Sequence, residues 1–175
     1  MDGLSPDVFM ALVADALAEV LKQSPLDTQL IIENTAGMGN HICASFAEIG
    51  GVMKGLASPQ VKVCLDTEHA FAAGYDVSQK DTLARAMEEF DKEIGLTNLA
   101  AVHANDAKVE FGSGVDRHEN IGEGHIGVAG FEVIMAHPAF RDGPFLLEVP
   151  GTDKKGPDRE QLDRVKDIRA RVGAK

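Results

Sequence analysis

The chain has 175 residues, enough for one domain with a sizeable core and too few for two ordinary ones. Its composition, 44% hydrophobic and 26% charged, excludes a disordered tail or a fibrous repeat. A net charge of −11, from 28 acidic against 17 basic side chains, excludes bulk attraction to nucleic acid or an anionic membrane, yet leaves room for a site made locally positive by divalent metal.

The N-terminus carries no basic n-region, and no apolar run is long enough to span a bilayer, so a cytoplasmic location without membrane contact is the default expectation. Cys43 and Cys64 lie far apart with no CxxC spacing and are expected to be reduced, buried thiols.

Ser5 before Pro6 is a helix start, and Val8, Phe9, Leu12, Val13, Ala16, Leu17, Val20 and Leu21 keep helical period up to a stop near Pro25. A short strand, Leu30-Ile31-Ile32, ends in Glu33. A loop follows, then a helix carrying Phe46, Ile49 and Met53. The unit then repeats. Val61 to Asp66 reads as a strand, Thr67 to Asp76 as a loop, and Leu83, Ala86, Met87, Phe90 and Ile94 as a helix face. Leu99 to His103 is the third strand, followed by a long polar loop through Gly127 and a helix near Phe131, Ile134 and Met135. Pro144 to Glu148 is the last strand, and Leu162, Val165 and Ile168 mark a terminal amphipathic helix whose many charges are expected to face solvent. Strands alternating with helices give an α/β fold with a parallel sheet, and no linker divides it.

Each strand ends at its carboxyl edge in a side chain able to bind metal: Glu33, Asp66, His103 and Glu148. One such residue is usually a helix cap, but four at matching positions are not expected by chance, and carboxyl ends of parallel strands are where sites form. Strand alternation puts Ile31, Cys64, Ala101 and Leu146 on the ligand-bearing face, which is mixed in polarity, as in a barrel interior. The opposite face, with Leu30, Ile32, Val61, Val63, Leu65, Val102 and Leu147, is uniformly apolar and suits a covering of helices. Beyond the strands, Asp66-x-x-His69 and Asp116-Arg117-His118 have chelating spacing. The seven candidate ligands contain no cysteine, so the set suits Zn²⁺, Mn²⁺ or Fe²⁺. More than one ion would favour phosphoester chemistry. His41 and His137 read as surface or packing residues, and His125, in a glycine-rich loop near His118, is open between a site contact and a surface role. Gly122-x-Gly124-x-x-Gly127 does not follow a strand, and no lysine follows it in P-loop fashion, which discounts nucleotide binding. The absence of a G-x-S-x-G elbow discounts a serine hydrolase.

The blocks Ile32-Glu33-Asn34-Thr35-Ala36-Gly37, Cys64-Leu65-Asp66-Thr67-Glu68-His69-Ala70-Phe71-Ala72-Ala73-Gly74-Tyr75-Asp76, His103-Ala104-Asn105-Asp106-Ala107-Lys108, Val115 through Gly127, and Leu147-Glu148-Val149-Pro150-Gly151 resemble the successive signatures of endonuclease IV, the zinc-dependent apurinic/apyrimidinic endonuclease family. The resemblance implies a xylose isomerase-like TIM barrel acting in DNA repair. With three zinc ions, such an enzyme hydrolyses the phosphodiester 5′ to abasic sites in double-stranded DNA. It implies that Glu33 bridges two ions and helps hold the attacking hydroxide, that Asp66, His103 and Glu148 complete the second ion's shell, and that His69, Asp116 and His118 hold the third. Glu68 stands where that family usually has cysteine, and Ala104 where it usually has leucine.

Against an eight-stranded barrel, residues 1–175 read as the C-terminal half, a partial barrel of the last four βα units, with no counterpart to two further ligand histidines. Two other readings compete. A half-barrel could be inactive alone and depend on pairing with itself or with a separate N-terminal half, because open sheet edges need cover. A sugar isomerase-like metal enzyme fits the strand-end ligands but not the Asp116-Arg117-His118 loop.

Overall fold

The computed structural model describes residues 5–173. Helix α1 (Pro6–Gln23) is capped by Ser5, whose side chain accepts from the Val8 amide. Strand β1 (Leu30–Glu33) leads to α2 (Phe46–Leu56), where Ser45 and Glu48 form a reciprocal capping box, and then to β2 (Val61–Asp66). The expected loop after Asp66 is a correction: Thr67–Ala72 is a short helix, α3, and the Asp66 side chain caps it by accepting from the His69 amide at 2.9 Å. Its six residues were too few for apolar periodicity to reveal. Helix α4 (Lys80–Glu93) and strand β3 (Leu99–His103) follow as expected.

The long loop beyond β3 is not featureless. It pairs β4 (Asp106–Ala107) with β5 (His118–Glu119) as a small antiparallel ribbon. Helix α5 (Gly127–Ala136), strand β6 (Phe145–Leu146) and helix α6 (Arg159–Arg171) complete the chain. Strand β6 is shorter than the Pro144 to Glu148 expected, and Glu148 lies beyond its ladder.

The main sheet is parallel throughout and ordered β1-β2-β3-β6, so each strand lies beside its successor in the chain. The helices follow the same circuit outside it, α1 against α2, α2 against α4, α4 against α5 and α5 against α6. This singly wound progression is the construction of a barrel wall rather than of a doubly wound sheet, which reverses at a switch point. The core fills the space between sheet and helices. Val63, Leu65 and Val102 face Phe46, Ile49, Leu83, Phe90, Phe131, Ile134 and Ile168, all buried. On the other face, Ile31 and Leu146 are half-exposed. Both cysteines are free and buried, and burial pushes the Cys43 thiol up to about 11 and the Cys64 thiol to about 12. Among the described residues, no helix is long and apolar enough to cross a membrane.

Candidate metal centre

Register brings the strand ends together: Asp66 pairs with His103, and Glu33 pairs with Cys64, two residues before Asp66 and on the same face, so the strands present their last side chains to a common mouth. Two clusters form there. Glu33, Asp66, His103 and Glu148 each offer a donor atom in one. In the other, Asp66, Glu68, His69 and His118 do so, and within each cluster the atoms lie within 4.8 Å of one another. Asp66 belongs to both. Asp116 borders the second, 3.3 Å from His69 Nε2 and 3.5 Å from His118 Nε2. All seven residues singled out in the sequence therefore converge.

Glu33 Oε1 sits between two imidazoles, 3.1 Å from His103 Nδ1 and 3.2 Å from His69 Nδ1, and so joins the clusters. His103 Nδ1 also lies 3.2 Å from Glu148 Oε2. Burial works against the ionised Glu33, but the hydrogen bond from His69 and the charge of His103 hold its carboxyl below the ordinary range. Burial likewise disfavours a charged His69, yet its hydrogen bond to Glu33 and the charges of Asp66 and Asp116 carry it up to about 10. Fully buried Asp66 is pushed up by desolvation, against the pull of His69 and His118. Such a concentration of acceptors is costly unless something positive lies among them.

The buried Nε2 atoms of His69 and His118 and the Oε2 of Glu68 have no hydrogen-bond partner. Buried polar atoms are nearly always satisfied, and imidazole with carboxylate is a donor set that divalent cations take. The residues present thus fit a metal.

Three residues without an assigned role in the sequence reading hold this arrangement. Asn34 spans β1 and β2: its Nδ2 donates to the Asp66 carbonyl at 3.1 Å and its Oδ1 accepts from the Asp66 amide at 2.7 Å. Asn105 donates from Nδ2 to Asp66 Oδ2 at 2.6 Å and accepts from the Glu148 amide at 2.9 Å, which sets Glu148 where strand pairing does not reach. Glu68 Oε1 accepts from the Arg117 amide at 3.1 Å and so pins the loop bearing Asp116 and His118. Burial pushes the Glu68 carboxyl up. All three stand within the sequence blocks that resemble the family, but two amides and a carboxylate just past strand ends have no diagnostic spacing of their own.

His125 lies on the rim, 3.7 Å from Glu110, and belongs to neither cluster. His41 is exposed, and His137 accepts from the Ala139 amide as a helix cap. The Gly122-x-Gly124-x-x-Gly127 stretch has another use than phosphate binding. Its amides turn inward onto buried Asp106, whose carboxylate accepts from Ala107, Gly122, Gly124, Ile126 and Gly127. A Cβ on Gly124 would strike the Ala107 carbonyl and the Asp106 carboxylate.

Comparison with known proteins decides between wall and sheet, for the family model of xylose isomerase-like TIM barrels matches residues 2–168. The chain belongs to this family. Among curated members it is 41% identical over 154 residues to the protein named probable endonuclease 4 of Chlorobium limicola, covering 87% of this chain and 53% of that one. It is 38% identical over 155 residues to the probable endonuclease 4 of Halothermothrix orenii, covering 88% and 56%. Among solved structures, endonuclease IV from Thermus thermophilus superposes with a TM-score of 0.72 at 30% identity, covering 91% of this chain and 58% of that one. The chain spans about half the length of the curated relatives it matches.

Proposed function

We propose that this chain carries the metal-binding part of a DNA repair endonuclease that hydrolyses the phosphodiester 5′ to abasic sites in double-stranded DNA, using zinc at Glu33, Asp66, His69, His103, Asp116, His118 and Glu148. The observation that carries the reading is the pair of ligand clusters sharing Asp66. Paired ions are the usual apparatus for phosphoester hydrolysis. The names of the relatives, endonuclease 4 and endonuclease IV, support the same substrate class.

When bound, divalent ions in these clusters supply positive charge for the scissile phosphate and acidify water. The chain's own side chains do the rest. Asp66, His103 and Glu148 on one side and His69, Asp116 and His118 on the other fix the two positions, with Asn34 and Asn105 locking Asp66. Glu33, which faces both imidazoles through Oε1 and so joins the two clusters, would help hold the attacking water between them and is the catalytic residue of the proposal. Against a net charge of −11, the attraction for DNA is local to the loaded centre rather than spread over the surface. The family resemblance would add a third ion and two further histidines, and residues 1–175 are then the C-terminal half of the barrel, acting in the cytoplasm.

The test is incision of a labelled duplex bearing one abasic site by protein loaded with Zn²⁺ or Mn²⁺. A cut on the 5′ side, lost with chelator and reduced at least about a hundredfold by Glu33→Gln, is the expected result. Aldose isomerisation without incision by the loaded protein would overturn the proposal in favour of a sugar isomerase.

A further inference from the structure

We propose that Glu68 is itself a ligand of the divalent cation held by His69 and His118, so that this position is a four-donor site, with Asp116, rather than the three-residue site the family resemblance implies. The inference rests on the metal-binding reading above and adds a residue to it.

Three buried atoms meet at this position. Glu68 is fully buried, on the first turn of α3. Its Oε1 is used, accepting from the Arg117 amide, while its Oε2 has no hydrogen-bond partner. The Nε2 atoms of His69 and His118 are also buried and without one. The other nitrogen of each ring fixes what those Nε2 atoms carry. His69 Nδ1 lies 2.9 Å from the Asn34 carbonyl oxygen, and His118 Nδ1 lies 3.3 Å from the Glu148 carbonyl oxygen. A carbonyl oxygen only accepts, so each Nδ1 bears a hydrogen and Nε2 is the nitrogen each ring turns inward, the atom that would give its lone pair to a cation in place of a proton. Two imidazole nitrogens and a carboxylate oxygen thus converge, all buried and none in a hydrogen bond.

A single proton satisfies one such contact, whereas a cation satisfies all three at once. Metal bonds of about 2.0–2.2 Å let one ion join donors up to about 4.3 Å apart. His69 Nε2 and Glu68 Oε2 are 3.9 Å apart, and Asp116 lies 3.3 Å from His69 Nε2 and 3.5 Å from His118 Nε2. Glu68 therefore has a double use. One oxygen holds the loop that brings Asp116 and His118, and the other joins them at the ion. Where the family usually has a soft thiol, this chain has a hard carboxylate, which moves the site's preference from Zn²⁺ toward Mn²⁺.

The experiment reads metal position and affinity, not turnover. Anomalous diffraction from crystals of the full chain loaded with Mn²⁺ locates each ion, and calorimetric titration with Mn²⁺ and with Zn²⁺ compares wild type, Glu68→Gln and His118→Ala. The expected result is an ion about 2.2 Å from Glu68 Oε2. Mn²⁺ affinity should fall about tenfold or more in the Glu68→Gln variant, with a smaller loss for Zn²⁺. An ion on His69, Asp116 and His118 with Glu68 outside bonding distance would overturn the inference and leave the metal site standing. Unchanged titrations in Glu68→Gln would do the same. No ion at all in wild type, and no difference between wild type and His118→Ala, would overturn both. If the Glu68→Gln variant does not fold, the wild-type ion position decides.

Discussion

Asp66 is fully buried, serves both ligand clusters and caps α3, and its geometry depends on neighbours that bind nothing themselves. Asn105 is the sharpest case, since one amide group restrains Asp66 Oδ2 and the Glu148 backbone together. Replacing it with alanine leaves both partners unsatisfied and frees two ligands. Asn105→Ala is therefore expected to weaken divalent-metal binding about 10–100-fold. A stability loss of about 1–3 kcal/mol should accompany it. Calorimetric metal titration and urea unfolding of the same preparation check the two effects, and metal affinity equal to wild type would show that Asp66 needs no such support. At this scale the sequence made the ligands legible and left their supports unread. Strand-end carboxylates and histidines recur at the spacing of one βα unit, whereas Asn34, Glu68 and Asn105 act through hydrogen bonds to backbone groups and to the Asp66 carboxylate that only the folded chain brings near.

Two elements depend on single carboxylates that organise backbone. The loop from Gly122 to Gly127 wraps its amides around Asp106, and the amides of Ile126 and Gly127 at the start of α5 are among them, where a negative charge is favoured. Burial pushes the Asp106 carboxyl up while the amides draw it down. Asp106→Ala strands those donors, and at about 1–3 kcal/mol for each one left dry, a loss above about 3 kcal/mol is expected in urea unfolding. A change below about 1 kcal/mol would mean that water replaces the carboxylate without cost. Helix α6 depends on Asp158, whose carboxylate accepts from the Thr152 amide at 2.6 Å and the Gln161 amide at 3.0 Å. These bonds hold Asp158 down at about 2, below its ordinary value of 3.8. A depressed folded-state pKa means that the stabilisation is complete above about 4 and is lost as pH falls toward 2. The gap in stability between wild type and Asp158→Asn should therefore narrow over that window, and a constant gap down to pH 2 would exclude the carboxylate as its source. Long periodic helices such as α4 were legible in the sequence because they bury one face in the core. Helix α3 and the β4–β5 ribbon were not, because a side-chain cap and an anchored loop define them rather than periodicity.

For the molecule as a whole, strand and helix alternation was enough to read α/β, and the uniformly apolar outer face with a mixed inner face was enough to favour a barrel wall, as the sequential order of β1, β2, β3 and β6 bears out. What alternation could not convey is how far the wall closes, because closure depends on what meets its edges. Among the described residues, β1 and β6 each pair on one side only, and the inner face leaves Ile31 46% and Leu146 48% exposed, on the side shared with Glu33 and Glu148. Open edges beside exposed apolar side chains favour association. A second copy would bring four more strands, making the eight with which barrels of this kind close. The 175-residue chain is accordingly expected to sediment as a dimer that dissociates on dilution, and Ile31→Glu, which places a charge on the inner face, is expected to shift it toward monomer at least tenfold in dissociation constant, about 1.4 kcal/mol. A monodisperse monomer at every concentration would exclude self-pairing.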